Sequence, residues 1–325
     1  MKRRTFLSDV RPLRTGLLLC LAGVLPAATL NAADLRESKT STDGRTSKTE
    51  TPLFVLNCAG AARILDDLDT VCRSVKRGEL ALAVRAVLAL SGDLKGIDRT
   101  RPFGLMTFIN AGEVPEPVAV AYVPITSFDD LRQTLKKISQ VTLSADQDRD
   151  GTYALETPVG TFRLVRRGKY IFIARQSLSL KRHFGDPAQR FATLTRRHDL
   201  AVEFRLSAVP TGMKTMILDY LRAGVDSKLR SQRDESLQQR RFRRDATLAA
   251  VSLFERILLD GERMTFGWNL SKQHIRAKLE LQLVARPGTR LALQLKQRFA
   301  ILRFAPASDN APLTLSAVWR FGQTE

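Results

Sequence analysis

The chain has 325 residues, 44% hydrophobic and 26% charged, with a formal net charge of +19. That balance excludes a disordered or fibrous chain and is enough for one large core or two smaller ones. Three cysteines exclude a disulfide-stapled miniprotein or a multi-cysteine zinc protein, and His183, His198 and His274, the only histidines, leave little for a histidine-rich metal site.

Met1 to Arg14 sets five basic residues against one acid, Asp9, and an uncharged apolar run over 15–25 follows. Pro26 breaks that run, and small residues lead to Ala33. A basic start, a short apolar middle and a small-residue exit describe an export signal over 1–33. The alternative is an uncleaved anchor. The run is short for a span, which needs about 20 residues, so no stable membrane span is expected after cleavage. Arg3-Arg4-Thr5-Phe6-Leu7 is similar to the twin-arginine motif, so Sec and twin-arginine export both stay open. The expected location is the periplasm or the extracellular space. Removing 1–33 takes away four positive charges and leaves about +15. Such charge attracts nucleic acid, anionic lipid or acidic polysaccharide, and, spread along the chain as it is here, reads first as a solvated basic surface.

Residues 34–52 hold almost no large apolar side chains and read as a flexible leader. A helix is expected from about 58 to 77, capped by Asn57 and stopped by Gly78. On one helix Cys58 and Cys72 would stand about 21 Å apart, too far for a disulfide. A second helix covers 79–90, and 92–102 is a loop rich in breakers. Residues 103–109 and 117–123 read as strands, with Gly112 and Pro115 between them as in a hairpin with a longer turn. Ser127, with Asp130 three residues on, caps the next helix. Strands follow near 140–144, 153–156, 160–166 and 169–174, then a short helix near 176–183 and a strand over 200–206. A helix ends near Gly224, and a polar helix or loop over 226–244 leads into a helix reaching Leu259. Strands over 264–270 and 275–284 precede a helix over 289–297.

The order strand, turn, strand, helix opens at Phe103-Gly104 and recurs at Phe266-Gly267. Residues 200–210 are also echoed at 313–321. Repeats this far apart point to duplication. The expected fold is α+β, with antiparallel sheets, packed helices and two related helix/strand units, 53–198 and 199–325. The strand near 313–321 is expected to open another unit, and unpaired it would be a docking edge. Five stretches together resemble a family of exported proteins abundant in planctomycete bacteria: GDLKGIDRTRPFG (92–104), PVAVAYVPITSFDDL (117–131), DLAVEF (199–204), RMTFGWNL (263–270) and ARPGT (285–289). The resemblance implies secretion and an α+β fold, with this chain matching the N-terminal part of longer members. It implies no activity.

Nucleophile-elbow, zinc-protease, dinucleotide and phosphate-loop motifs are absent. His198-Asp199 reads as an ordinary surface or loop-edge pair, because adjacent strand side chains face opposite ways. Asp146, Asp148 and Asp150, closed by Gly151, form the first half of a calcium loop, although Glu156 falls one place early for the closing ligand. The other reading is an Asp/Gly-rich turn with no cofactor. Between 157 and 185 there are seven basic residues and no acid, with aromatics interleaved. Arg163, Arg166, Arg167 and Lys169 are the candidate anion-binding set there, against the plain reading of wet and dry faces of a sheet. Arg240, Arg241, Arg243 and Arg244 read as a solvated helix face. The expected function is a non-enzymatic binding or structural component of the cell envelope with an envelope protein as partner. A binder of anionic polymers is the alternative, and an enzyme ranks last.

Overall fold

The structure is a computed structural model that describes residues 50–74, 76–90, 92–110, 116–137, 141–145, 151–228, 236–271, 276–299 and 313–320. The fold is α+β, and its strands form one eleven-stranded antiparallel sheet. β1 (Phe54–Cys58) is followed by α1 (Ala61–Ser74) and α2 (Gly78–Leu90), then β2 (Phe103–Asn110), β3 (Glu116–Pro124) and α3 (Phe128–Lys137). A meander of β4 (Thr142–Ala145), β5 (Thr152–Thr157) and β6 (Gly160–Arg167) leads to β7 (Tyr170–Ala174). Short helices α4 (Pro187–Arg190) and α5 (Ala192–Arg197) connect to β8 (Leu200–Phe204). The second half is α6 (Thr211–Lys228), α7 (Leu237–Asp260), β9 (Gly261–Ser271), β10 (Arg276–Ala285), α8 (Arg290–Phe299) and β11 (Leu313–Arg320).

The strand order is β11-β10-β9-β8-β1-β2-β3-β7-β6-β5-β4. Read outward from the β8–β1 junction, both directions repeat one plan. A strand leads through two helices into a hairpin, then a helix, and a further strand flanks the hairpin. β1 therefore corresponds to β8, β2–β3 to β9–β10, α3 to α8, and β7 to β11. The β4–β6 meander has no counterpart. The Phe103-Gly104 and Phe266-Gly267 echo falls on equivalent strands. The echo of 200–210 in 313–321 does not, because β8 is central while β11 flanks β10. Nor is β11 unpaired: it pairs with β10 from Arg276↔Arg320 to Leu283↔Leu313. The two units share one sheet in place of separate sheets.

Alternation along the strands gives that sheet two unlike faces. The packed face carries Val55, Met106, Phe108, Val120, Tyr122, Tyr170, Phe172 and Ala201 under Leu180, Phe184, Phe191 and Leu194. Phe172 stacks on Phe184 at 4.6 Å and Tyr122 on Phe191 at 5.5 Å, contacts worth about 1 kcal/mol each beyond burial. Asp186 caps α4 through a bond from the Ala188 amide, with Pro187 at the first helical position. On the other face α3 packs Leu131, Phe128 and Leu135 over Leu164, Ile171 and Ile173. The Asp130 amide donates to Ser127 Oγ at 3.2 Å, so the expected cap is present. At the far flank Leu291 and Leu295 of α8 cover Met264, Leu283 and Ala285.

The expected helix at 58–77 starts later. Asn57 and Cys58 belong to β1, the strand joining the two units, so Asn57 is not a helix cap. Cys58 and Cys72 are both free and buried.

Candidate binding surface

One transverse row of the sheet holds two glycines among buried polar groups. It runs Glu280–Gly267–Ala201–Asn57–Gly104–Tyr122. A side chain on Gly104 would strike the Leu56 carbonyl and the Tyr122 hydroxyl. The bare strand lets Tyr122 reach across it, and its hydroxyl donates to Asn57 Oδ1 at 2.8 Å. Asn57 Nδ2 donates to Thr195 Oγ1 at 3.2 Å. Gly267 plays the same part for His198, whose ring occupies the space a Cβ would need.

His198 is therefore not a surface residue: it is 3% exposed. Burial lowers its pKa from 6.5, opposed by the nearby Glu280 carboxylate. Burial would push the Glu280 carboxyl up, but hydrogen bonds from Lys278, at 2.6 Å, and Gln282 hold it below its usual value. Asp199 accepts the Leu270 amide at 2.6 Å and pairs with Arg63, which also donates to the Thr195 carbonyl at 3.1 Å. Glu203, equally buried, accepts from Arg205 Nε at 2.7 Å. Burial pushes the Cys58 thiol up to about 12, so it stays protonated and acts as a packing group. The carboxylates of Asp199, Glu203 and Glu280 are thus each engaged by neighbouring cations, amides or main chain, an arrangement that holds the sheet together.

The candidate anion-binding residues do not share a face. Arg163 and Arg167 alternate with Val165 on the packed face, whereas Arg166 lies with Phe162 and Leu164 on the other. Lys169 is exposed in the β6–β7 turn. Arg167 donates to the carbonyls of Leu180 and Arg182 and lies over Phe184. It pins the segment after β7, so its guanidinium is occupied. The interleaved Phe162, Tyr170 and Phe172 are buried core groups and offer no stacking platform. Arg182 and Arg190 are used likewise, over Phe108 and Phe191 and bonded to Asn110, Glu50 and the Phe184 carbonyl. Asp146, Asp148 and Asp150 lie outside the described residues. Among the described residues no group of three His, Cys, Asp or Glu is placed to hold a metal, and no helix is long and apolar enough to cross a membrane.

The middle of the second sheet face is different. Between the flanks covered by α3 and α8, the central strands present Phe54, Leu56, Val202, Phe204, Phe266, Trp268, Leu279 and Leu281. The registers Leu56↔Val202, Val202↔Phe266 and Phe266↔Leu281 make them neighbours. Phe54 and Phe204 meet edge to face at 4.9 Å. Phe204, Phe266 and Trp268 are 38, 45 and 41% exposed, against 2% for Phe108 and 1% for Phe172 on the packed face. Contiguous apolar surface of this kind marks an interaction site. Alternation in 200–204 and 264–270 signals which residues share this face, but not that it stays open. No family model matches this chain, and no curated protein or solved structure matches it significantly.

Proposed function

We propose that this is an exported, non-enzymatic binding component of the cell envelope, and that the open face of its sheet receives a partner polypeptide. The exposure of Phe204, Phe266 and Trp268 side by side carries this reading. An antiparallel sheet with one solvated face ordinarily places polar residues there; here that position is filled by aromatic and aliphatic groups. The partner's contact surface is apolar with an acidic surround, which complements a chain that keeps a net charge of about +15 once residues 1–33 are removed. Export rests on the basic and apolar pattern of residues 1–33. The non-enzymatic reading is supported by the pairing of Asp199, Glu203 and Glu280 with structural partners.

The test replaces Phe266 and Trp268 together by Thr, which keeps strand propensity. Each is a little over half buried, so the double change should cost about 2–4 kcal/mol, and a circular-dichroism melt checks that the variant is folded under the assay conditions. Gel filtration of envelope extracts should show the parent chain in a complex with a different polypeptide and the F266T/W268T chain free. Identical elution, or a complex containing this chain alone, overturns the proposal.

A further inference from the structure

Helix α7 opens with Arg240, Arg241, Phe242, Arg243 and Arg244 in its first two turns. Its start is held by a full capping box, with Ser236 accepting the Gln239 amide and the Gln239 side chain accepting the Ser236 amide. Leu237 and the four arginines line one shallow groove. Phe242, Ala246, Ala249 and Leu253 fall on one helical stripe, and all four are exposed, Phe242 to 77%. The opposite stripe holds the helix to the protein, through half-buried Thr247 and Val251 and buried Leu258. The neighbouring helix α6 repeats the pattern. Met216 and Tyr220 are 63 and 84% exposed, opposite buried Lys214 and Leu218. Arg222 of α6 bonds Glu255 of α7 at 2.9 Å and ties the pair.

We infer that the α6–α7 pair is a membrane-interface element that binds anionic phospholipid. Phe242, Leu253, Met216 and Tyr220 enter the headgroup–acyl boundary, Arg241, a quarter turn from that stripe, meets the phosphates, and Arg240 and Arg244 at the exposed start of the helix attract the anionic surface at longer range. A large exposed apolar stripe with cations on the remaining faces of the same helix is the signature of a helix lying in that boundary. A polysaccharide or nucleic acid in water would use the cations and leave the apolar stripe wet. A bilayer surface accepts both. This inference is independent of the open sheet face.

The test is flotation of the full chain with vesicles of phosphatidylcholine alone or mixed with phosphatidylglycerol, at low and high salt. Parent and variants carry the same residues 1–33, so the ratio between them reports on α6–α7. Binding should need phosphatidylglycerol and weaken with salt. The R240Q/R241Q/R244Q chain should bind about tenfold less or weaker still, since a cation near an anionic surface is worth about fivefold and the two on the far side of the helix act more weakly, across the screening length. The F242S/L253S chain should bind about tenfold less or weaker still. All five positions are exposed, and an unchanged circular-dichroism melt checks the fold. Equal binding by either variant overturns the inference. So does a loss confined to the arginine variant and matched by an equal loss of heparin binding, which would make the block a polyanion site.

Discussion

The two halves of the sheet solve one packing problem with different chemistry. In the first, a bare strand at Gly104 lets Tyr122 bridge to Asn57 and Thr195, a network of neutral groups. In the second, the bare strand at Gly267 receives the His198 imidazole, with the Glu280 carboxylate in the place that Tyr122 takes on the other side. Backbone plan and register are common to both. The chemistry in the socket has diverged: one socket holds only neutral groups, the other an imidazole beside a carboxylate. The lesson is that the glycine, not the residue above it, preserves the architecture, because only the absence of a Cβ lets a large polar side chain cross the sheet.

The sharpest way to break this comparison is to fill the sockets. Gly104→Ala should cost about 3 kcal/mol and Gly267→Ala about 2 kcal/mol in urea unfolding. The first is the larger because its added carbon strikes the Leu56 carbonyl of the paired strand, while the second strikes a side chain that can turn. Equal and negligible costs would mean that the sockets are incidental. Next in size, Tyr122→Phe should cost about 1.5 kcal/mol, since it leaves buried Asn57 Oδ1 without its donor. That cost should be the same at about pH 7.5 and at about pH 5.5, because no group in the network titrates between them.

The smallest effect separates the halves. The folded-state pKa of His198 lies below its ordinary 6.5, so the unfolded chain binds the proton more readily. Stability is therefore full above about pH 6.5 and falls as pH drops through 6.5 toward the folded value. Glu280, held below 4.5, contributes stability above that value that is lost on further acidification. Thermal melts at about pH 7.5 and about pH 5.5 should show a drop for the parent chain and a smaller one for His198→Gln. An unchanged drop would assign the pH dependence to other groups.

Much of this architecture is legible in the residues. The short apolar runs at 103–109 and 117–123, separated by Gly112 and Pro115, and the alternation in 264–270 reveal the hairpins, and Ser127 with Asp130 marks the start of α3. The central strand β1 is not legible as a strand. Five residues, FVLNC, directly precede a helical pattern, and a short apolar run cannot be told from a helix start by period alone. The Asp186-Pro187 start of α4 is a readable signal at the boundary of a helix too short to show a period. The burial of His198 depends on a glycine 69 positions away, and no local pattern encodes that. Arg167 shows the same limit. Its alternation places it on a face, but only the return of residues 180–182 over β6 turns it from a free cation into a clamp on two carbonyls.

The open face carries the functional reading, and cross-linking in the intact envelope tests it most directly. A photo-reactive side chain at position 266 or 268, in cells producing the full chain, should yield one discrete adduct with another polypeptide. The same group at position 166, exposed on the flank of that face, should yield none. No adduct at 266 and 268, equal adducts at all three positions, or adducts of the chain with itself alone would contradict the account.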